Sequence, residues 1–305
     1  MGIMNKQDIL LESGTNELEI MEFKIAGEIF GINVAKVREI MIYRPVKPMQ
    51  NSHPAVEGVF KPRDVLMTVM NLPKYLDLPE SSDPSKDIFI IAYFNKIFIA
   101  FHVHSVEGID RISWEKVQKP DKTIYGGEEG IATAIAEYDG RLITVLDFEK
   151  IIYDISPETG IQMSEIEALG VRPNREDVTI LIAEDSVLLS KMIIDSLHKA
   201  GYINSIKTDN GKEAWDFLCE AKNDGKPIKN HCSLLITDIE MPQMDGHHLT
   251  KLVKSDSVLS EIPVIIFSSL IDDEMFRKGQ QLGANGQLAK PEIANLVALV
   301  DKLVL

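Results

Sequence analysis

The chain has 305 residues, 45% of them hydrophobic and 26% charged, with 47 acidic side chains against 32 basic ones and a formal charge of -15. That length suits two compact units better than one, and the acid excess repels polyphosphate backbones, so nucleic acid is not an expected partner. No apolar run could span a bilayer, the opening MGIMNKQDILLESGTNELEI lacks the unbroken apolar stretch of an export signal, and Cys219 and Cys232 belong to no CxxC pair, so a cytoplasmic chain with reduced thiols and no direct membrane insertion is expected.

Residues 18 to about 155 read as short strands. LEIMEFKIA and EIFGINV meet at Gly27, IFIIAYF and IFIAFHV at Asn95-Lys96, and IATAIAEY and RLITVLDF at Asp139-Gly140, a strong two-residue hairpin signal. The pattern predicts a mostly antiparallel half, folded as a sandwich or as a pair of small barrels. His102 and His104 in AFHVHSV have metal-ligand spacing, but no carboxylate or cysteine close by in the sequence completes a set, so both are expected to be partly exposed strand histidines. Taken alone, Val37-Arg38-Glu39 reads as a solvated turn of amphipathic helix. Residues 157–177 have linker composition, with a short helical turn expected at SEIEAL.

Beyond Asp177 apolar strands alternate with helical patterns: VTILIA, INSIKT, SLLITD, PVIIFS and GQLA each precede a helix-like segment. Five such units predict a doubly wound α/β domain with a five-stranded parallel sheet. In such sheets function gathers beyond the carboxyl ends of the strands. The first strand ends at Glu184-Asp185, the third at Asp238, the fourth at Ser268-Ser269, and the fifth runs into Lys290-Pro291. Carboxylates crowded there repel one another unless a cation joins them, and Mg²⁺, which takes hard oxygen ligands, meets that need. With the Lys290 ammonium offsetting further charge, Asp238 becomes a candidate to accept a phosphoryl group, with Ser268 offering a hydroxyl to a phosphoryl oxygen. GGEEG at 126–130 and NGKEAW at 210–215 lack the ending of a nucleotide-binding loop and are expected to be turns, while His247-His248 start a helix and point apart.

The acidic pair, the DIEMPQMDG loop, Ser268 and Lys290-Pro291 occur in the order found in bacterial response regulators, and residues 178–305 resemble their receiver domain. The resemblance implies that Asp238 is the phosphoacceptor, that Glu184, Asp185, Asp238 and the backbone carbonyl of Glu240 hold Mg²⁺, that Ser268 is the switch hydroxyl, and that Lys290 contacts the phosphoryl group. Gln287 stands where many receivers carry a switching aromatic residue. Residues 14–156 resemble the CheW family of coupling proteins through EIFGINVAKVREIMIYRPVKPMQNSHPAVEGVF, NLPKYLDLP and AEYDGRLITVLDFEKII. That resemblance implies two small β-barrels, with Val37, Arg38, Glu39 and Arg63 in the partner-binding region. FKPRD departs from the family's asparagine-leucine-arginine-glycine stretch by Lys61-Pro62 and Asp64. A CheW-like domain followed by a receiver is the arrangement of the CheV proteins. It implies a non-enzymatic adaptor at membrane-bound receptor arrays, with the histidine kinase CheA, methyl-accepting chemoreceptors and other CheW-like proteins as partners. A phosphate sink on CheA and a scaffold with an idle receiver are the alternatives.

Overall fold

The structure, a computed structural model, describes residues 17–94, 97–118, 130–156, 172–269, 271, 273–290 and 292–305. The expected turn at 126–130, the SEIEAL helical turn and the Asn95-Lys96 turn fall wholly or mostly outside these residues. The chain divides into two compact units.

The first unit holds two sheets. One contains β1 (Glu17–Ile25), β2 (Glu28–Asn33), β8 (Ser105–Ser113), β9 (Val117–Gln118), β10 (Ala132–Tyr138) and β11 (Arg141–Leu146), in the order β8-β1-β2-β11-β10-β9. The other contains β3 (Val37–Ile42), β4 (Val56–Phe60), β5 (Met67–Asn71), β6 (Ile88–Phe94) and β7 (Ile97–Val103), in the order β3-β6-β7-β5-β4. Two tight hairpins follow the sequence signals: φ is positive at both Ala26 and Gly27 between β1 and β2, and at both Asp139 and Gly140 between β10 and β11. That pair of left-handed residues matches the twist of the flanking strands, and glycine adopts it without strain. The expected antiparallel pairing is interrupted by parallel contacts of β2 with β11 and of β5 with β7.

Strand alternation sorts the side chains into private and shared cores. On β6, Phe89 and Ile91 join Phe60, Met67, Val69 and Ala100 inside the second sheet, while Ile90, Ala92 and Phe94 face a core shared with Phe23 and Phe30. On β1, Leu18 and Ile20 join Ile112, Ala136 and Ile143 inside the first sheet. Strands from opposite edges feed each private core, so each sheet curls around its own apolar centre as a small barrel. Besides α1 (Leu72–Tyr75), the unit has α2 (Phe148–Ile155), where sequence reasoning saw only strand. Asp147 caps α2 by accepting from the Lys150 N–H at 2.9 Å, and Phe148 plugs the shared core with its ring 4.7 Å from that of Phe101.

The second unit is a five-stranded parallel sheet in the order β13-β12-β14-β15-β16, as expected. Its strands are β12 (Thr179–Ala183), β13 (Asn204–Thr208), β14 (Leu234–Thr237), β15 (Val264–Ser268) and β16 (Gly286–Ala289). They alternate with α3 (Val187–Ala200), α4 (Gly211–Asn223), α5 (Gly246–Ser255), α6 (Asp273–Gln281) and α7 (Ile293–Val304). Strand order reverses between β12 and β14, which opens the crevice where side chains at the strand ends converge. The turn expected at NGKEAW is instead the start of α4: Asn210 is the N-cap and Gly211 the first helical residue. Asn210 Oδ1 accepts from the Glu213 N–H, and the Glu213 carboxylate accepts from the Asn210 side-chain amide and the Asp209 N–H, so the asparagine-glycine pair opens a helix rather than a turn.

Candidate functional site

Each acid of the crevice is delivered by the strand before it. The Glu184 N–H donates to the Thr208 carbonyl at 3.1 Å and the Asp238 N–H to the Ala183 carbonyl at 3.0 Å, so sheet pairing carries one residue past the assigned strands. Glu184, Asp185 and Asp238 each present a carboxylate oxygen within 4.8 Å of the others. The Lys290 Nζ donates to Glu184 Oε2 at 2.7 Å and to Asp238 Oδ2 at 3.0 Å, and the three residues are almost wholly buried. Asp185 is half-buried. Ser268 is fully buried at the end of β15, beside Ala289 in the ladder, and its carbonyl accepts from the Lys290 N–H at 3.1 Å.

The loop after Asp238 is shaped by close backbone approach. Asp238 Oδ1 accepts from the Ile239 N–H at 2.6 Å, and the Gly246 N–H donates to the Ile239 carbonyl at 2.9 Å. A side chain at Gly246 would overlap the Asp238 carbonyl oxygen. Asp245 then caps α5 through the His248 N–H at 2.7 Å. Three carboxylates around one ammonium leave a surplus of negative charge, and their hard oxygens are the donor type that Mg²⁺ prefers. The residues present fit that ion. Glu240 lies half-buried in the same loop.

Gln287 faces α6: its Nε2 donates to the Phe276 carbonyl at 2.7 Å, and its amide lies directly opposite Gly279. His247 and His248 do begin α5, the first buried and the second half-buried. Burial, and then the charge of Lys278, push the His247 pKa down to about 4.

In the first unit, Val37, Arg38 and Glu39 form the start of strand β3 rather than a helical turn. Glu39 Oε1 accepts from the Arg63 Nη2 at 2.9 Å, which joins two of the four expected partner-binding residues, and the Arg38 guanidinium lies 5.5 Å from the Tyr93 ring centroid. Sequence reasoning missed the apolar side chains around them. Ile40 and Ile42 alternate with Arg38 on the exposed face of β3, and Val65 and Leu66 stand exposed just after Arg63. Exposed apolar groups in such number are a mark of an interaction surface.

His102 corrects the expectation most sharply. It is buried, with Nδ1 2.8 Å from Glu57 Oε2 and Nε2 2.9 Å from Asp87 Oδ2, so two carboxylates do flank it. They approach opposite edges of the ring, and among the described residues the only group able to gather three ligands around a metal is that of Glu184, Asp185 and Asp238. His104 lies just past β7 and accepts from the Ala26 N–H at 2.9 Å.

The CheW-like domain model matches residues 19–156, and the response regulator receiver domain model matches residues 180–301. Over 302 residues the chain is 27% identical to chemotaxis protein CheV3 of Helicobacter pylori, covering 95% of each. It is also 27% identical to CheV2 of the same organism over 305 residues, covering 94% of this chain and 95% of CheV2. Chemotaxis protein CheY1 of that species is 33% identical over 112 residues, which are 37% of this chain and 84% of CheY1. No helix among the described residues is long and apolar enough to cross a membrane. The chain thus carries a CheW-like domain followed by a response regulator receiver domain, and it is similar along nearly its whole length to CheV chemotaxis proteins.

Proposed function

We propose that this coupling protein links methyl-accepting chemoreceptors to the histidine kinase CheA through its domain at 14–156, and that a phosphoryl group on Asp238 in the domain at 178–305 adjusts the coupling. The observation that carries the reading is the Lys290 ammonium held between Glu184 and Asp238 with Asp185 alongside. In this reading a carboxylate oxygen of Asp238 forms the new bond to phosphorus as the donor's bond to it breaks. Lys290 then shifts its contact to a phosphoryl oxygen, and the Ser268 hydroxyl donates to another. Glu184, Asp185, Asp238 and the Glu240 carbonyl would hold Mg²⁺. The ion supplies positive charge opposite the developing phosphoryl oxygens.

The chain loads its own aspartate and loses the group slowly, but turns over no separate substrate. Arg38, Glu39 and Arg63, with Val37 and the apolar residues around them, form the face for receptor or kinase, and recruitment to membrane-bound arrays follows from that contact. Other CheW-like proteins are partners of the same kind. The test is receptor-stimulated CheA activity in a reconstituted array. The wild-type chain changes that activity when phosphorylated, Asp238→Asn does not respond, and the chain cut after residue 156 still couples. If removal of the receiver leaves control of CheA unchanged and only slows the loss of kinase phosphate, the receiver is a sink and the proposal fails.

A further inference from the structure

We infer that the first turn of α4 positions the metal-binding loop, with Gly211 and Asn210 as positioning residues for Mg²⁺; the inference rests on the reading of that site given above. The loop from Ile239 to Met244 carries Glu240, whose carbonyl is the proposed ligand, and it leans on α4 at three points. The Gly211 N–H donates to the Met244 carbonyl at 3.2 Å. Met241 is buried in one apolar cluster with Ala214 and Leu218 of α4. Met244 packs against the same cluster, as does Trp215 of α4.

Gly211 is what allows this approach. A Cβ there would stand 2.5 Å from the Met244 carbonyl oxygen and 3.1 Å from the Met244 Cβ and Cγ. The oxygen is backbone and cannot swing aside, so any side chain at 211 displaces the loop. Asn210 holds the turn itself. It is buried, its Oδ1 accepts from the Glu213 N–H at 2.8 Å, and its Nδ2 donates to Glu213 Oε1 at 2.8 Å. Octahedral Mg²⁺ tolerates little change in ligand position. Displacement of the loop therefore weakens the ion's binding even where helix and sheet survive.

Helix preference alone points the other way, because alanine favours a helix over glycine. Titration of the full-length chain with MgCl₂ by calorimetry separates the two effects. Gly211→Ala is expected to weaken Mg²⁺ binding at least tenfold, and Asn210→Ala several-fold, the second with a fall of a few degrees in the metal-free melting temperature from the lost cap. Lys212→Ala, on the exposed side of the same turn, is the control and binds as wild type. At saturating Mg²⁺ the maximal phosphorylation rate of both variants returns toward wild type, so the defect lies in affinity. If both variants bind Mg²⁺ as wild type does, the positioning role is overturned while the site stands. If Gly211→Ala does not fold, Asn210→Ala decides. If the wild-type chain binds no Mg²⁺, the reading of the site falls, and this inference with it.

Discussion

Each half of the molecule buries one cationic side chain between two carboxylates, and the two clusters differ in what they leave over. In the first unit, His102 lies between Glu57 and Asp87, and the Tyr43 hydroxyl donates to the remaining Glu57 oxygen at 2.9 Å. In the second, Lys290 lies between Glu184 and Asp238, and a third carboxylate, Asp185, stands within reach of both acids. The first cluster joins Tyr43 just past β3, Glu57 on β4 and His102 on β7, which ties together both edges of a curled sheet. The second sits at the strand-order reversal with negative charge in surplus. One carboxylate in excess, offset by the Tyr43 hydroxyl, is tolerated where a barrel closes, whereas two in excess in a crevice prepare a site for a cation and its ligand.

The comparison breaks most completely at Lys290. Lys290→Ala should cut phosphoryl labelling by at least ~100-fold, since the developing charge loses its ammonium. The same change should tighten Mg²⁺ binding roughly tenfold, because the three carboxylates lose an internal competitor. Radiolabel transfer and calorimetry read the two effects, and weaker Mg²⁺ binding would contradict the charge argument. His102→Leu should act in the opposite sense, on stability alone. It leaves Glu57 and Asp87 buried without their cation, at a cost of about 3 kcal/mol and a fall in melting temperature of roughly 10 °C, with no change in Mg²⁺ affinity.

The site was legible in the sequence because each of its groups ends or follows a short apolar strand, so local pattern and sheet geometry together predict convergence. The His102 cluster was not legible. Its partners lie 45 and 15 residues away, and only the curling of the sheet brings them to one ring. Helix α2 hid behind the strand RLITVL, although Asp147 three residues before Lys150 is a capping signal. Asn210 three residues before Glu213 is a helix-start signal, but glycine after asparagine also marks a turn, so the local pattern alone does not choose between them.

pH sharpens the contrast further. Burial alone would lower the His102 pKa, but Glu57 and then Asp87 outweigh it and hold the value above the ordinary 6.5. Burial alone would raise the Glu57 pKa, but His102 and then Tyr43 bring it below the ordinary 4.5. The imidazolium contribution is complete below pH 6.5 and fades as pH rises through the raised value, while the carboxylate contribution is complete above pH 4.5 and fades as pH falls through the depressed one. His247 behaves in reverse: its pKa of about 4 gives a contribution complete above pH 6.5 and lost as pH falls toward 4. Trp114 reports on the first unit and Trp215 on the second. Melting followed by each in a single-tryptophan chain should show the first unit weakening as pH rises above 6.5, and the second as pH falls from 6.5 toward 4. Equal slopes for both would contradict the assignment.

The smallest effect is expected at the exposed pair. Arg63→Ala should change stability by less than ~1 kcal/mol, because an ion pair open to solvent contributes little, yet it should weaken co-sedimentation with receptor and CheA. Unchanged co-sedimentation would move the partner surface away from this face.

The central claim is that the crevice of the second unit accepts a phosphoryl group on Asp238. Transfer of labelled phosphate from phosphorylated CheA, with Mg²⁺ and with the metal chelated, tests it most directly on the wild-type chain and on Asp238→Asn. Label on the wild type alone, and only with Mg²⁺ present, is the predicted result. Equal label on both chains would contradict it.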